Sequence, residues 1–331
     1  MASYSHSVKY YLCLFAVLAL AALFEIGVFD METSQVSDGN MKKRFAFGDS
    51  KVCDLRTPSK AVPVVLISLG RSGSSITWTT LTSLARQENI AYEVTGGNLD
   101  KNKKFFKDLE KSPNKDQNWL INSLCKVRNF RDDVQNATVF GIQWKPYEAT
   151  WDDDYAIEGL HAAAKYDKTE IKAIFLHRNP LDRRLSNQRH TKSKENDNDV
   201  SAHCEVGDKK CIEQHSNFDR DLSLPVGKNL LHFVKHDETM KQRIRDRLDE
   251  VNMKYVEVSY EKLYNEDNAK EWMRIFSFLG VGPSEGLTMN DVRSTFKFAS
   301  THTKARNETI VNFKRVEQTL VGTPYEYLLS S

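Results

Sequence analysis

The sequence predicts an α/β fold, with a central, mainly parallel sheet flanked by helices. Short apolar segments alternate with helical patterns along the chain, which is typical of βαβ units. The strand candidates are Val62–Ser68, Ala137–Gln143, Ile171–His177 and Tyr255–Ser259. The helix candidates are Ile76–Gln87, Tyr155–Lys165, Leu181–Gln188, Glu238–Val251 and Ala269–Leu279. With 331 residues, of which 40% are hydrophobic, the chain is long and apolar enough to bury a full core.

The N-terminal region carries an apolar segment that predicts a transmembrane signal anchor over residues 10–29. A helix of that length spans about 30 Å, roughly one hydrocarbon core. A lysine precedes the segment and acidic residues follow it, so the positive-inside tendency makes residues 1–9 a cytosolic tail. The polar residues 30–60 are then a stem, and residues 61–331 form the luminal domain of a single-pass type II membrane protein. A cleaved signal peptide, which would give a secreted protein, is the alternative.

Two glycosylation sequons agree with a secretory route. They are Asn136-Ala137-Thr138 and Asn307-Glu308-Thr309, although such triplets also occur by chance. The net charge of +2 argues against a general nucleic-acid-binding protein, which would show a strongly basic face. The oligomeric state is left open by the sequence.

The cysteines point to an oxidising compartment. Cys204 and Cys211 bracket a short polar stretch, and this spacing predicts a local disulfide. A second pair, Cys53 with Cys125, stays open. No paired C-x-x-C motif occurs, so we expect no metal site. The polar segment Thr191–Asn217 is predicted to be a surface loop, either a simple solvated excursion or part of an acceptor-binding surface.

The most informative segment follows the first strand and reads Gly70-Arg71-Ser72-Gly73-Ser74-Ser75. A Gly/Ser loop between a strand and a helix directs backbone N–H groups and the positive helix end at one point, which is an anion-binding arrangement. Arg71 adds a fixed charge. The loop lacks the G-x-x-x-x-G-K-S/T pattern, because no lysine precedes Ser74, and this argues against an ordinary nucleotide triphosphatase. A merely tight turn is the alternative.

A second transition from strand to helix follows Ile171–His177. Asn179 is a good N-cap and Pro180 suits the first helical position. This arrangement predicts a second anion site, with Arg178 at its mouth and Ser186 on the helix. A structural salt bridge is the alternative for Arg178, but two such sites in one domain favour the functional interpretation of both.

Together the two segments resemble the 5′-phosphosulfate loop and the 3′-phosphate motif of sulfotransferases that use 3′-phosphoadenosine 5′-phosphosulfate (PAPS). The first motif has the form K/R-x-G-S/T-S/T, and residues 71–75 satisfy it. The second has Arg-Asn-Pro-x-Asp and a serine eight residues after the arginine, which Arg178 and Ser186 match. Downstream, Val256–Leu263 followed by Ile275–Gly280 is similar to the family's "YEDL…FLG" segment. The predicted membrane anchor and the sequons resemble the Golgi branch of the family, which acts on carbohydrates.

The resemblance implies a role for each motif residue and PAPS as co-substrate, with no metal required. Arg71 would stabilise charge on the departing phosphate and join the residues around the 5′-phosphosulfate, Ser72, Gly73, Ser74 and Ser75. Arg178 and Ser186 would hold the 3′-phosphate, since arginine suits multi-point phosphate contacts.

Three further sets of residues are weaker candidates. Glu93, in Ile90–Val94, follows the first loop's helix and resembles the family's catalytic glutamate, which would be the general base. Lys145 resembles a lysine near the transferred sulfuryl group. The alternative for both is an ordinary surface side chain. Near the C-terminus, a run of His302, Lys304 and Arg306 would either close over the co-substrate or form a solvated face.

Three functions follow from these patterns. The first is transfer of a sulfuryl group from PAPS to a hydroxyl or amine of a glycan in the Golgi lumen. The second is a luminal enzyme resembling a nucleotide kinase, and the third is a glycan-binding pseudoenzyme. Galactose, hexosamine, uronic acid and protein tyrosine all stay open as acceptors, because acceptor contacts lie on variable loops.

Overall fold

The computed structural model describes residues 54–55, 61–85, 91–93, 117–130, 138–146, 154–195, 204–218, 222–264, 269–283, 286–296 and 305–330. All of them belong to the unit Asp49–Ser331. The strands are β1 Val62–Ser68, β2 Ala91–Glu93, β3 Val139–Trp144, β4 Lys172–His177 and β5 Tyr255–Ser259. The first helices are α1 Ser74–Leu84, α2 Trp119–Phe130, α3 Asp154–Ala164, α4 Pro180–Glu195, α5 Lys209–Phe218 and α6 Lys228–Glu250. They are followed by α7 Tyr260–Tyr264, α8 Lys270–Leu279, α9 Met289–Ser294, α10 Arg306–Thr309, α11 Phe313–Leu320 and a 3₁₀ turn at Glu326–Leu329.

The strands of the described chain form one parallel sheet in the order β2-β3-β1-β4-β5. The predicted α/β class is therefore confirmed, and the four predicted strands all exist close to their predicted bounds. β1 lies in the middle, paired with β3 on one side and β4 on the other. Because all strands run the same way, the loops that follow β1 and β4 emerge at one edge of the sheet. That edge is where parallel α/β sheets bind ligands.

Both faces of the sheet are covered, so the central strands β1 and β3 are buried along nearly their whole length and are mostly apolar. On one face, Val64 and Leu66 of β1 pack with α1, α8 and α9 in a cluster that contains Trp78 and Trp272. A second apolar cluster joins α4, α6 and α11 to the C-terminal turn. These two clusters fix the helices that carry the residues discussed below.

The predicted helices form at the expected positions, but some of them are longer than predicted. α4 continues to Glu195 and α6 begins at Lys228, because neither extension contains a proline or glycine that would end a helix. Helix α2 was not predicted. The expected surface loop Thr191–Asn217 is wrong for its described part, which holds the end of α4 and most of α5.

The predicted cytosolic tail, transmembrane helix and nearly all of the stem lie outside the described residues. Among the residues that are described, no helix is long and apolar enough to cross a membrane. Leu55 was assigned to the stem, but it is fully buried and its N–H donates to the Tyr166 hydroxyl at 2.7 Å. The packed part of the chain therefore begins before residue 61.

The Cys204–Cys211 disulfide is confirmed, with the two Cα atoms 5.5 Å apart. Cys125 on α2 is disulfide-bonded as well, whereas Cys53, the partner considered from the sequence, lies outside the described residues. Asn307 is exposed at the start of α10, and Asn136 lies outside the described residues. Glycosylation at either position stays a prediction.

Candidate functional site

The first loop, residues 69–73, has an unusual backbone that the Gly/Ser composition makes possible. Arg71 has φ 67° and Gly73 has φ 85°, so both lie in the left-handed region. Helix α1 then begins at Ser74, with no acidic residue in its first turn. The first N–H groups of a helix have no partner within the helix, so they point out of the loop at any bound anion.

Gly73 is required by its surroundings as well as by its φ. A Cβ atom at this position would run into the ring of Tyr260, the first residue of α7. Burial raises the pKa of the Tyr260 phenol, so the ring stays neutral beneath the loop. The close approach of this ring sets how deeply the loop can lie against α7.

The hydroxyls of the first loop are largely buried. Ser72 is 1% exposed and Ser74 is 5% exposed. In the described part of the chain, the Ser72 Oγ has no hydrogen-bond partner. Buried hydroxyls nearly always have one, so this donor is available to a ligand oxygen.

The second loop, which joins β4 to α4, is held by the side chain and backbone of Asn179. Its Oδ1 accepts from the Leu181 N–H at 2.9 Å and caps α4, as the sequence predicts. Its N–H donates to Glu261 of α7 at 2.8 Å, and its Nδ2 donates to the Leu328 carbonyl at 2.9 Å. Three separate parts of the chain therefore fix this loop.

Arg178 lies between the two loops and is 7% exposed. Its guanidinium stacks on the Tyr260 ring, 4.2 Å from the ring centre, and one nitrogen donates to the Arg71 carbonyl at 3.5 Å. Within the described residues, its Nε has no hydrogen-bond partner. A buried cation with a spare donor favours an anionic ligand over a structural salt bridge.

Helix α4 connects the loops directly. The Arg71 Nε donates to the Ser186 hydroxyl at 3.3 Å, and one Arg71 terminal nitrogen reaches the Ser186 carbonyl at 3.5 Å. One turn earlier on α4, the Arg183 Nε donates to the Gly70 carbonyl at 2.9 Å. The structure thus brings together Arg71, Arg178 and Ser186, which the sequence predicts to act on one ligand.

Two ionic contacts of Glu257 support the second loop at the end of β4. Glu257 on β5 accepts from His177 at 3.1 Å and from two nitrogens of Arg245 at 2.6 and 2.8 Å. Burial opposes ionisation of Glu257, but the hydrogen bonds from His177 and Arg245 outweigh it and lower its pKa to about 2. The residue immediately before Arg178 is therefore tied to the neighbouring strand.

Arg306 has a different role from the one considered from the sequence. Its guanidinium forms two parallel hydrogen bonds of 2.8 Å to the Asp182 carboxylate and one of 2.7 Å to the Leu328 carbonyl. It therefore fastens the first turn of α4 to the C-terminal turn. His302 and Lys304 lie outside the described residues.

The structure brings the backbones of Glu93 and Lys145 to the same edge of the sheet. Glu93 ends β2, in register with Gln143 of β3. Lys145 follows β3 directly and is half-buried. Since β3 is next to β1, both positions lie on the side of the first loop opposite Arg178. Their roles in catalysis stay predictions.

No potential metal centre occurs in the part of the chain that the structure describes, where no three His, Cys, Asp or Glu residues cluster suitably. The positive groups of the site are Arg71, Arg178 and the helix ends of α1 and α4. An anion at this edge would be held by these groups.

Sequence reasoning missed the roles of Tyr260, Glu261 and Arg183. The first two lie in the segment Val256–Leu263, whose resemblance to the family marks it as important but does not indicate which residues it contacts. Arg183 lies between Arg178 and Ser186, and nothing in its spacing indicates a contact with a carbonyl of the other loop.

Comparison with known proteins gives little similarity. No protein-family model matches the chain, and no curated protein matches it. Among solved structures, the chain is similar to the sulfotransferase domain of the olefin synthase from Synechococcus PCC 7002. The identity is 15%, the match covers 86% of this chain and 90% of that one, and the TM-score is 0.29.

Proposed function

We propose that the chain is a PAPS-dependent sulfotransferase that transfers a sulfuryl group to a hydroxyl or amine of a glycan. The observation that carries this proposal is the meeting of two anion loops, tied by the hydrogen bond of 3.3 Å from Arg71 to Ser186. PAPS carries its anionic groups on two separate positions of one ribose, so it needs two such sites. A nucleoside triphosphate carries its phosphates in one run and would use only one of the loops.

The residues of the site fit this co-substrate. Ser72 to Ser75 and the start of α1 would take the 5′-phosphosulfate, and Arg178 with Ser186 would take the 3′-phosphate. The buried Ser72 hydroxyl and the Arg178 Nε have no partner among the described residues. Phosphate oxygens would satisfy both donors, which otherwise remain costly to bury.

In the proposed reaction, an acceptor oxygen or nitrogen forms a bond to sulfur while the bond between sulfur and the bridging phosphate oxygen breaks. The acceptor proton passes to a base, for which we propose Glu93, and adenosine 3′,5′-bisphosphate leaves. Arg71 and the N–H groups at the start of α1 stabilise the charge that develops on the leaving phosphate. Lys145, which follows β3, would stabilise the transferred sulfuryl group.

We also propose a location for the enzyme, on sequence grounds. Residues 10–29 would anchor it in the Golgi membrane, with the stem and the catalytic domain in the lumen, and a cleaved signal peptide is the alternative. The Cys204–Cys211 disulfide fits an oxidising compartment. A glycan acceptor is consistent with this location, since glycans are built in that lumen.

The test measures binding of adenosine 3′,5′-bisphosphate by calorimetry and transfer of labelled sulfate from PAPS to a panel of glycans and a tyrosine peptide. Arg178→Ala should weaken binding about 10- to 100-fold, because hydrogen bonds to charged groups contribute about 1.5–3 kcal/mol. Glu93→Ala should keep binding and reduce transfer at least about 100-fold, as expected for loss of a general base.

The matched control is Arg184→Ala. Arg184 also lies on α4, but its guanidinium faces the Phe233 ring at 5.6 Å, so both binding and transfer should persist. Unchanged binding in Arg178→Ala would contradict the co-substrate assignment. Binding of adenosine 5′-triphosphate with magnesium and indifference to PAPS would favour the kinase-like alternative, and glycan binding without transfer would favour the pseudoenzyme.

A further inference from the structure

We propose that Arg183, anchored by Asp237, is the positioning residue that holds the first loop in its sulfate-binding shape. This inference rests on the proposed function for its ligand, but not for its geometry. Arg183 is distinct from Arg178 and Ser186, to which we assign the 3′-phosphate. It acts on the loop through the carbonyl of Gly70.

The geometry of α4 places two contacts with the first loop on one face of the helix. Arg183 and Ser186 are three residues apart, so they lie on the same face of the helix. Arg183 donates to the Gly70 carbonyl at 2.9 Å, and Ser186 accepts from Arg71 at 3.3 Å. One helix face therefore holds two successive residues of the first loop, one by its backbone and one by its side chain.

Arg183 is itself held in place by a residue of α6. Its guanidinium forms an ion pair with Asp237 of α6, whose side chain is 4% exposed. The other Asp237 oxygen lies 3.5 Å from the Lys241 ammonium, which in turn contacts Glu238 at 2.8 Å. A guanidinium that is 15% exposed and paired with a buried carboxylate has little freedom to turn, because removing either partner leaves an uncompensated charge. The fork of arginine allows one nitrogen to pair with Asp237 while another holds Gly70.

The carbonyl that Arg183 holds sets the direction of the N–H group that follows it. The peptide between Gly70 and Arg71 is planar and trans, so its N–H points opposite to its carbonyl. Fixing the Gly70 carbonyl on Arg183 therefore directs the Arg71 N–H away from α4. Arg71 has φ 67°, a conformation that costs about 1–2 kcal/mol for a residue other than glycine. Without the Arg183 contact, we expect Arg71 to relax and to turn the following N–H groups away from the 5′-phosphosulfate.

This mechanism gives a result that general damage to the fold would not give. Arg183→Gln should weaken binding of adenosine 3′,5′-bisphosphate about 10-fold or more. It should leave binding of adenosine 3′-monophosphate near that of the unchanged protein, because Arg178 stays stacked on Tyr260 and Asn179 keeps its contacts with α7 and the C-terminal turn. Arg183→Lys keeps the charge but has a single nitrogen. It should bind the bisphosphate more tightly than Arg183→Gln and more weakly than the unchanged protein. Arg184→Gln is the matched control and should bind both ligands normally.

A second measurement needs no ligand. In the full-length protein, hydrogen exchange of the peptide covering residues 69–75 should accelerate in Arg183→Gln and in Asp237→Asn, and not in Arg184→Gln. The Ser72 N–H, which donates to the Leu69 carbonyl at 3.3 Å, reports on this turn.

Each outcome decides between the two proposals. Equal losses for the bisphosphate and the monophosphate, or unchanged exchange of the loop, would overturn the role of Arg183. If the unchanged protein binds neither nucleotide, the proposed function fails, and the exchange measurement alone still decides whether Arg183 holds the loop. If Arg183→Gln does not fold, Arg183→Lys and Asp237→Asn carry the same comparisons.

Discussion

The two anion loops lie on neighbouring strands of one sheet edge, but they are built in different ways. The first loop places Arg71 and Gly73 at positive φ and depends on contacts from α4 and α7. The second loop has no positive φ in residues 177–181 and is held by Asn179. The contacts that hold the second loop, including those with Glu261 and Leu328, all involve its own residue Asn179, whereas the strained loop is determined by the residues packed around it. The difference predicts that the first loop is sensitive to distant substitutions and the second to local ones.

The largest effect is expected at Gly73. Gly73→Ala places a Cβ against Tyr260 and forces an alanine into positive φ. The conformational cost of about 1–2 kcal/mol adds to overpacking of about 1–3 kcal/mol, so we expect a loss of about 2–5 kcal/mol in the free energy of unfolding. Denaturant unfolding and nucleotide binding would both report it.

Gly280→Ala is the matched control for that substitution. Gly280 has φ 72°, and a Cβ there would meet nothing within 4 Å. It should therefore show only the conformational cost of about 1–2 kcal/mol. Equal losses at the two glycines would mean that Tyr260 does not constrain the first loop.

An intermediate effect is expected at Asn179, where two substitutions separate the cap from the contact with the C-terminal turn. Asn179→Ser keeps a cap acceptor but loses the donor to Leu328, and we expect a loss of about 1 kcal/mol. Asn179→Ala loses both, and we expect about 2 kcal/mol. Thermal and denaturant unfolding would measure both losses. If serine were as damaging as alanine, the cap would contribute nothing and the second loop would not be locally determined.

The smallest effect is expected at Glu257, because its side chain is 28% exposed and solvent screens its ion pairs, and this effect depends on pH. The pKa of Glu257 is lowered from 4.5 to about 2 in the folded state. The unfolded protein therefore binds a proton first as the pH falls, so this stabilisation is present above pH 4.5 and is lost towards pH 2. Glu257→Gln should lower stability at neutral pH and flatten the pH dependence in that window, as followed by urea unfolding at several pH values. An unchanged slope would show that His177 and Arg245 do not hold this carboxylate.

The sequence predicted the sheet well because its strands are apolar on both faces and end in recognisable turns. It also predicted the cap at Asn179, since that chemistry is local. It did not predict α2, the length of α4 and α6, or the roles of Arg183 and Tyr260. Those features arise from contacts between residues far apart in the chain, such as Arg183 with Gly70. Arg71 and Arg178 lie close together because a parallel sheet brings equivalent strand ends together, and Ser186 on α4 contacts Arg71.

The central position of β1 has a consequence for how the protein is made. β1 is the first described strand to leave the ribosome, yet both of its neighbours, β3 and β4, come later, the second of them ending at His177. At ordinary rates of synthesis, the interval is on the order of ten seconds. Throughout that time at least one edge of this apolar strand has no partner, so the nascent chain depends on chaperones or on its surroundings to prevent aggregation. Substitutions that slow the arrival of β4 should therefore lower the yield of folded protein without changing its final stability.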